Sequence, residues 1–149
     1  MDTDRPSFLL VDGNNVLHAW EDLRPMRLRS VDLARRELIR RLTDWSDDAD
    51  ERVVLVFDGG ARSPRDEQRD RRIQIIHGAA GETADAVIER LVLKYAASYH
   101  LIVATDDRAV LDLAAAAGAE TISCDLLHAR LEAGNRTRAE WLRRHRRKK

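Results

Sequence analysis

Four short apolar runs constrain this chain more than any other feature: Phe8-Leu9-Leu10-Val11, Val53-Val54-Leu55-Val56-Phe57, Ile73-Gln74-Ile75-Ile76 and Leu101-Ile102-Val103-Ala104. Each is strand-length, mostly β-branched or aliphatic, and lacks the alternation of a half-exposed strand. That is the pattern of parallel strands covered on both faces. Glu120-Thr121-Ile122 is a shorter fifth candidate.

Helical patterns lie between these runs. Ser30 can cap a helix with Val31 at its start and an apolar face of Leu33, Leu38, Leu42 and Trp45. Thr83 can cap a second, with Ala84, Val87, Ile88, Leu91 and Tyr95 at intervals of three and four. Ala109–Ala117 gives a third, stopped by Gly118. Asp125 opens a short fourth through Leu131, and Thr137 opens a last one carrying Trp141 and Leu142. Strand–helix alternation at these spacings predicts an α/β fold, a three-layer α/β/α sandwich with a mainly parallel central sheet. The longest polar stretch, Gly59 to Arg72, reads as a loop or a short exposed helix.

The 149 residues suit one domain, and 44% hydrophobic with 35% charged residues gives a core beneath a heavily charged surface. No apolar run is long enough to span a bilayer, and the charged opening MDTDRPS is not a signal peptide. The single cysteine, Cys124, excludes an internal disulfide and a cysteine-based metal site. The expectation is a soluble cytoplasmic protein with no membrane partner. Basic and acidic residues balance at 26 each, but unevenly. Residues 136–149 hold eight basic side chains against one acid, Glu140, and the remainder is correspondingly acidic. An acidic body with a cationic end suggests a polyanionic partner; a solvated, frayed end is the plainer reading.

In open α/β sheets, ligands bind outside the carboxyl ends of the strands. Directly after the first run comes Asp12, in Val11-Asp12-Gly13-Asn14-Asn15; after the second comes Asp58. After the fourth come Thr105, Asp106, Asp107 and Arg108, and the helix following the third carries Asp85 in its first turn. Any one of these aspartates makes an ordinary cap or turn. Together they accumulate charge at one rim. Two carboxylates ~5 Å apart repel by ~3 kcal/mol at an effective dielectric near 20, so such a cluster needs a cation or must take up protons. An all-oxygen donor set suits a hard ion, Mg²⁺ or Mn²⁺, which can activate water and neutralise charge on a phosphodiester.

Other chemistries on this architecture lack their residues. A receiver domain needs a lysine after a late strand, but the lysines are Lys94, Lys148 and Lys149. A haloacid-dehalogenase phosphatase needs an aspartate where Asn14 stands. No glycine-rich phosphate loop or Gly-x-Ser-x-Gly elbow occurs, and the five histidines show no paired spacing.

Leu10-Val11-Asp12-Gly13-Asn14-Asn15-Val16, Ala19-Trp20, Val56-Phe57-Asp58, Glu82-Thr83-Ala84-Asp85 and Ala104-Thr105-Asp106-Asp107 occur in that order. Together they resemble the NYN domain, and within it the YacP-like branch of PIN-like bacterial ribonucleases. The resemblance runs from about Phe8 to Leu131. It implies a PIN-like sandwich, acidic residues that bind divalent metal, and cleavage of RNA. It divides the chain into a nuclease domain (1–135) and a basic helix or tail (136–149). Asp12, Asp58, Asp85 and Asp107 match the family's acidic positions, and Asn15 its polar partner after the first strand. Two positions depart from the family pattern: Asn14 stands where a tyrosine is frequent, and Asp106 where serine is usual.

The expected activity is therefore that of a metal-dependent endoribonuclease using Mg²⁺ or Mn²⁺. Asp12 and Asp107 are the expected inner metal ligands with Asp85 nearby, and Asp106 is the alternative to Asp107. Asp58 completes the cluster or orients water, Asn15 holds a carboxylate or the scissile phosphate, and Thr105 supports Asp12. Arg62, Arg65 and Arg108 are the candidate RNA contacts, with Arg69 beside them; Arg62, Arg65 and Arg69 could equally pair with Asp66, Glu67 and Asp70. Trp20, Trp45 and Trp141 read as core or helix-docking residues. The partner is RNA, single-stranded or messenger, and a ribosome or other ribonucleoprotein is a kind of particle the basic end would suit. The alternative is an RNA-binding module with weak or partner-dependent catalysis; a small-molecule phosphohydrolase is the third reading.

Overall fold

The computed structural model describes residues 5–60, 68–70 and 73–146. In chain order the elements are β1 (Ser7–Asp12), α1 (Gly13–Ala19), α2 (Arg24–Arg29), α3 (Val31–Ser46), β2 (Arg52–Phe57) and β3 (Gln68–Asp70). There follow β4 (Ile73–His77), α4 (Ala84–Tyr95), β5 (His100–Ala104), α5 (Arg108–Ala116), β6 (Glu120–Ile122) and α6 (Cys124–Arg146). The sheet order is β3-β4-β2-β1-β5-β6. Five strands run parallel, and β3 pairs antiparallel along the edge of β4. Part of the polar stretch is thus an edge strand rather than a loop or helix. Arg62 and Arg65 lie outside the described residues.

Side-chain alternation splits the apolar runs between two cores. Leu9, Val11, Val53, Leu55, Phe57 and Ile102 face a layer supplied by α1, α3 and α6. Leu10, Val54, Val56, Leu101 and Val103 face α4 and α5. Both faces are dry, which explains runs with no polar alternation. The third layer expected from the sequence is present, and the strands' carboxyl ends form one rim.

The caps explain why the helices start where they do. Ser30 Oγ accepts from Leu33 N, and Thr83 Oγ1 accepts from Ala86 N. Gly118 follows α5 with φ +92°, a conformation other residues rarely adopt. The face of α3 differs from the expected one. Ala34, Leu38 and Leu42 are buried, whereas Val31 and Leu33 stand 41% and 48% exposed in the first turn.

Where two helices were expected after β6, there is one. Ser123 Oγ accepts from Leu126 N to start α6, which then runs unbroken through Gly134 and Asn135. Those poor helix formers predict an end there. Packing overrides them: a Cβ on Gly134 would sit 3.2 Å from Trp45 Cδ1, so the glycine lets α6 lie close against α3. Beyond Arg138, which is bonded to Asp44 O and Asp48, the helix leaves the body. Trp141 is 53% exposed, not docked as the sequence suggested. No helix among the described residues is long and apolar enough to cross a membrane.

Candidate active site

Asp12 ends β1 and caps α1, and it is 2% exposed. One carboxylate oxygen accepts from Asn15 N at 3.3 Å, the other from Thr105 Oγ1 at 3.1 Å. The second bond crosses from β1 to the residue following β5. Here the chain order reverses: β2 and β4 lie to one side of β1, β5 and β6 to the other. A crevice at such a switch point is the usual ligand site of a parallel sheet.

Two carboxylates meet in that crevice. Asp85, in the first turn of α4, contacts the Asp12 carboxyl group. Burial first, then the hydrogen bond and like charge from Asp85, push Asp12 up to about 7. The bonds from Asn15 and Thr105 oppose that rise and are outweighed. Without a cation, burial and the neighbouring like charge therefore favour the protonated form of Asp12.

The other aspartates are turned to framework duties. Asp58 Oδ1 accepts from Ala84 N at 2.7 Å, tying the end of β2 to the start of α4. This bond places Asp85, the next residue, over Asp12. Asp107 Oδ1 caps α5 by accepting from Val110 N at 3.0 Å, and its own N–H donates to Thr105 Oγ1. Asp106 Oδ1 accepts from Cys124 N at 2.9 Å and so anchors the start of α6. The partner the structure brings to Asp12 is thus Asp85, where the sequence pointed first to Asp107. Among the described residues no three acidic, histidine or cysteine side chains gather closely enough to enclose a metal ion.

The asparagines do more than sequence reasoning assigned. Asn15 Oδ1 accepts from Asp106 N at 2.8 Å and from Cys124 Sγ at 3.2 Å, which joins β1, β5 and α6. Burial raises the Cys124 thiol well above its ordinary range, so it acts as a neutral donor. Asn14 Oδ1 accepts from Asp58 N at 2.7 Å and fixes the carboxylate end of β2. The repeated Asn-Asn after Asp12 was the available signal: two short amides at a strand exit can reach the neighbouring strand ends on either side. Gly13 permits the turn, because a Cβ there would meet the Phe57 ring at 2.4 Å. Trp20 is core, with Nε1 donating to Cys124 O at 2.9 Å. Arg108 opens α5 on the exposed side of the rim.

The family model for the YacP-like NYN domain matches residues 9–149, taking in the rim and all of α6. The chain belongs to this family. It is 34% identical over 84 residues to the protein YacP of Bacillus subtilis (strain 168), a match covering 56% of this chain. The matched part spans 49% of that protein, about half its length. Two crystal structures of Rae1 (YacP) from Bacillus subtilis share the fold at 29% identity. The W164L mutant superposes with a TM-score of 0.79, covering 93% of this chain and 82% of that one. The second structure gives 0.77, with 92% and 80% covered.

Proposed function

We propose that this protein is a metal-dependent endoribonuclease that hydrolyses RNA phosphodiesters at the Asp12–Asp85 crevice. Membership of the YacP-like NYN family supports a ribonuclease. The observation that carries the chemistry is the pair itself: a buried carboxylate, Asp12, beside the half-buried Asp85 at a switch point, with Asp12 pushed up to about 7. Such a pair resolves its repulsion by holding a proton or a divalent cation.

The residues fit a hard cation, in one specific manner. Mg²⁺ is commonly held by one or two carboxylates and otherwise keeps water or substrate phosphate. Asp12 and Asp85 match that donor set, with Asp107 a further candidate to add an oxygen from the start of α5. A closed cage of aspartates does not match, because no three acidic side chains among the described residues gather closely enough to form one. When bound, Mg²⁺ or Mn²⁺ would supply a more acidic water and neutralise charge on the phosphate.

The chain's own residues do the rest. Asn15 N and Thr105 Oγ1 fix both oxygens of Asp12, so the carboxylate is aimed before any ligand arrives. Asp58, through Ala84, sets the position of Asp85. The Asn15 side-chain NH₂ makes no hydrogen bond among the described residues and is a neutral donor available to a phosphate oxygen. Arg108 adds a cation on the open side of the rim, where phosphate contacts give position rather than sequence. An apolar hollow of about 260 Å³ lies toward the opposite ends of the strands, lined by Phe8, Val54, Tyr95, Tyr99 and Leu101. No carboxylate or cation lines it, so it lends no support to a small-molecule phosphohydrolase.

The test uses wild type and Asp12→Asn with end-labelled single-stranded and structured RNA, in Mn²⁺, Mg²⁺ or EDTA. Internal cuts that need the cation and vanish in the variant are expected. Cutting by the variant at the wild-type rate would remove the rim from the chemistry. Binding without cutting by either protein would favour the RNA-binding module.

A further inference from the structure

The last two turns of α6 form an arm built for a different contact from the one at the rim. Arg138 is the last residue held by the body, through Asp48 Oδ2 at 2.6 Å and Asp44 O at 2.9 Å. From Ala139 to Arg146 every residue is exposed, so no face of these two turns is packed. At 1.5 Å per residue the arm projects ~12 Å. Its tip lies ~33 Å along the helix from Cys124, the α6 residue bonded to the rim.

Helical spacing sorts the arm into two sides. Arg136, Arg143, Arg144 and Arg146 fall within an arc of roughly 160°, with Glu140 the one acid among them. None of these four arginines makes an ion pair among the described residues, and all four are exposed. The opposite side continues the face that Arg138 turns to α3, and carries Trp141, Leu142 and His145. Trp141 and His145 stack with ring centroids 3.8 Å apart. The neighbouring body surface is acidic, with Asp44, Asp47, Asp48, Asp50 and Glu51 at the end of α3 and the turn after it. It repels a polyanion, so on this side of the molecule a phosphate backbone is drawn to the projecting stripe.

We propose that this arginine stripe docks on the phosphate backbone of structured RNA, as an anchor separate from the cleavage crevice. The proposal rests on the ribonuclease reading and extends it to the kind of RNA engaged. A row of exposed arginines on a convex helix suits contact with phosphates along a backbone, the kind of contact on which shape-based recognition of double-helical RNA rests. The separation sets a size threshold. A short single strand held at the crevice does not reach the arm, whereas a folded RNA some 30 Å or more across touches both. Two apolar side chains on the far side are too few to bury the helix in a lipid surface.

Binding is measured in EDTA, so that the outcome is independent of cleavage. Wild type and the triple variant Arg143→Gln/Arg144→Gln/Arg146→Gln are compared on a long hairpin with a single-stranded extension and on a four-nucleotide single strand. Each lost phosphate contact removes about 0.7–0.9 from the slope of log affinity against log salt. The hairpin slope is expected to fall by about 2 to 3, with at least tenfold weaker binding at low salt. Affinity for the short strand should change less than twofold. Hairpin, but not the short strand, should alter the fluorescence of Trp141, read against a Trp141→Phe control. Unchanged hairpin binding, or equal losses on both RNAs, would overturn the proposal. So would a Trp141 response to anionic phospholipid vesicles in place of hairpin. Failure of the nuclease reading would show separately, as uncut RNA in Mn²⁺ with the hairpin result intact.

Discussion

The rim and the arm carry opposite charges, and their charges are organised in opposite ways. At the rim, Asp12 is 2% exposed and both of its oxygens are bonded. Packing fixes its geometry and raises its affinity for a proton. On the arm and one turn before it, four arginines stand in solvent and make no ion pair among the described residues. The number of charges matters there more than their placement. A buried charge answers to single atoms and to pH; an exposed one answers to salt.

The largest expected effect follows from the rim. Asp12→Asn should lower metal-dependent cleavage by on the order of 10³-fold or more, measured under single-turnover conditions. Its fold should persist, because an amide still offers an oxygen to Asn15 N. If activity fell less than tenfold, the Asp12–Asp85 pair would not be the reacting centre.

Stability should vary with pH in a direction opposite to that of an ordinary salt-bridged aspartate. Asp12 binds its proton more tightly when folded, at about 7, than its ordinary value of 3.8. The resulting stabilisation is complete below pH ~4 and is lost as pH rises through ~7. The shift sets a ceiling of ~4 kcal/mol. Denaturant unfolding in EDTA at pH 5 and pH 8 should show the decline in wild type. Asp12→Asn should flatten it, and Mn²⁺ at pH 8 should restore stability to wild type alone. A profile that is the same in both proteins would mean that Asp12 titrates normally.

A smaller loss should follow from Asn14→Ala, which leaves Asp58 N without its acceptor at a cost of ~1–3 kcal/mol. Because Asp58 positions α4 through Ala84, kcat should fall by roughly tenfold with KM little changed. Thermal unfolding with single-turnover rates would separate the two effects. Unaltered stability would make Asn14 a bystander. The smallest effect belongs to the arm: Arg146→Gln alone should reduce the salt slope for hairpin RNA by less than 1.

The same contrast governs how much could be read from the sequence. The strands were legible because both of their faces are dry, so Val53–Phe57 and Leu101–Ala104 need no pattern beyond continuous apolarity. Ser30, Thr83 and Gly118 were legible because caps are local chemistry. The gathering of aspartates at one rim followed from the strand ends alone. Which of them meet did not. Asp85 reaches Asp12 because Asp58 holds the first turn of α4, a tertiary bond between residues 26 positions apart. Helices α1 and α2 were missed because Gly13, Asn14, Asn15 and Pro25 are weak helix signals, overridden by Asp12 as a cap and by packing of Val16 and Leu17. The unbroken course of α6 was hidden for a similar reason. Gly134 reads as a stop, yet serves to seat the Trp45 indole.

The central claim is that Asp12 and Asp85 form a site whose proton is exchanged for a divalent cation. Calorimetric titration of Mn²⁺ into wild type and Asp85→Asn, at pH 6.5 in two buffers of different ionisation enthalpy, tests it most directly. Saturable binding to wild type accompanied by proton release is expected, with binding at least tenfold weaker to the variant and that release lost. Equal affinity in the two proteins, with no proton exchanged in either, would contradict it.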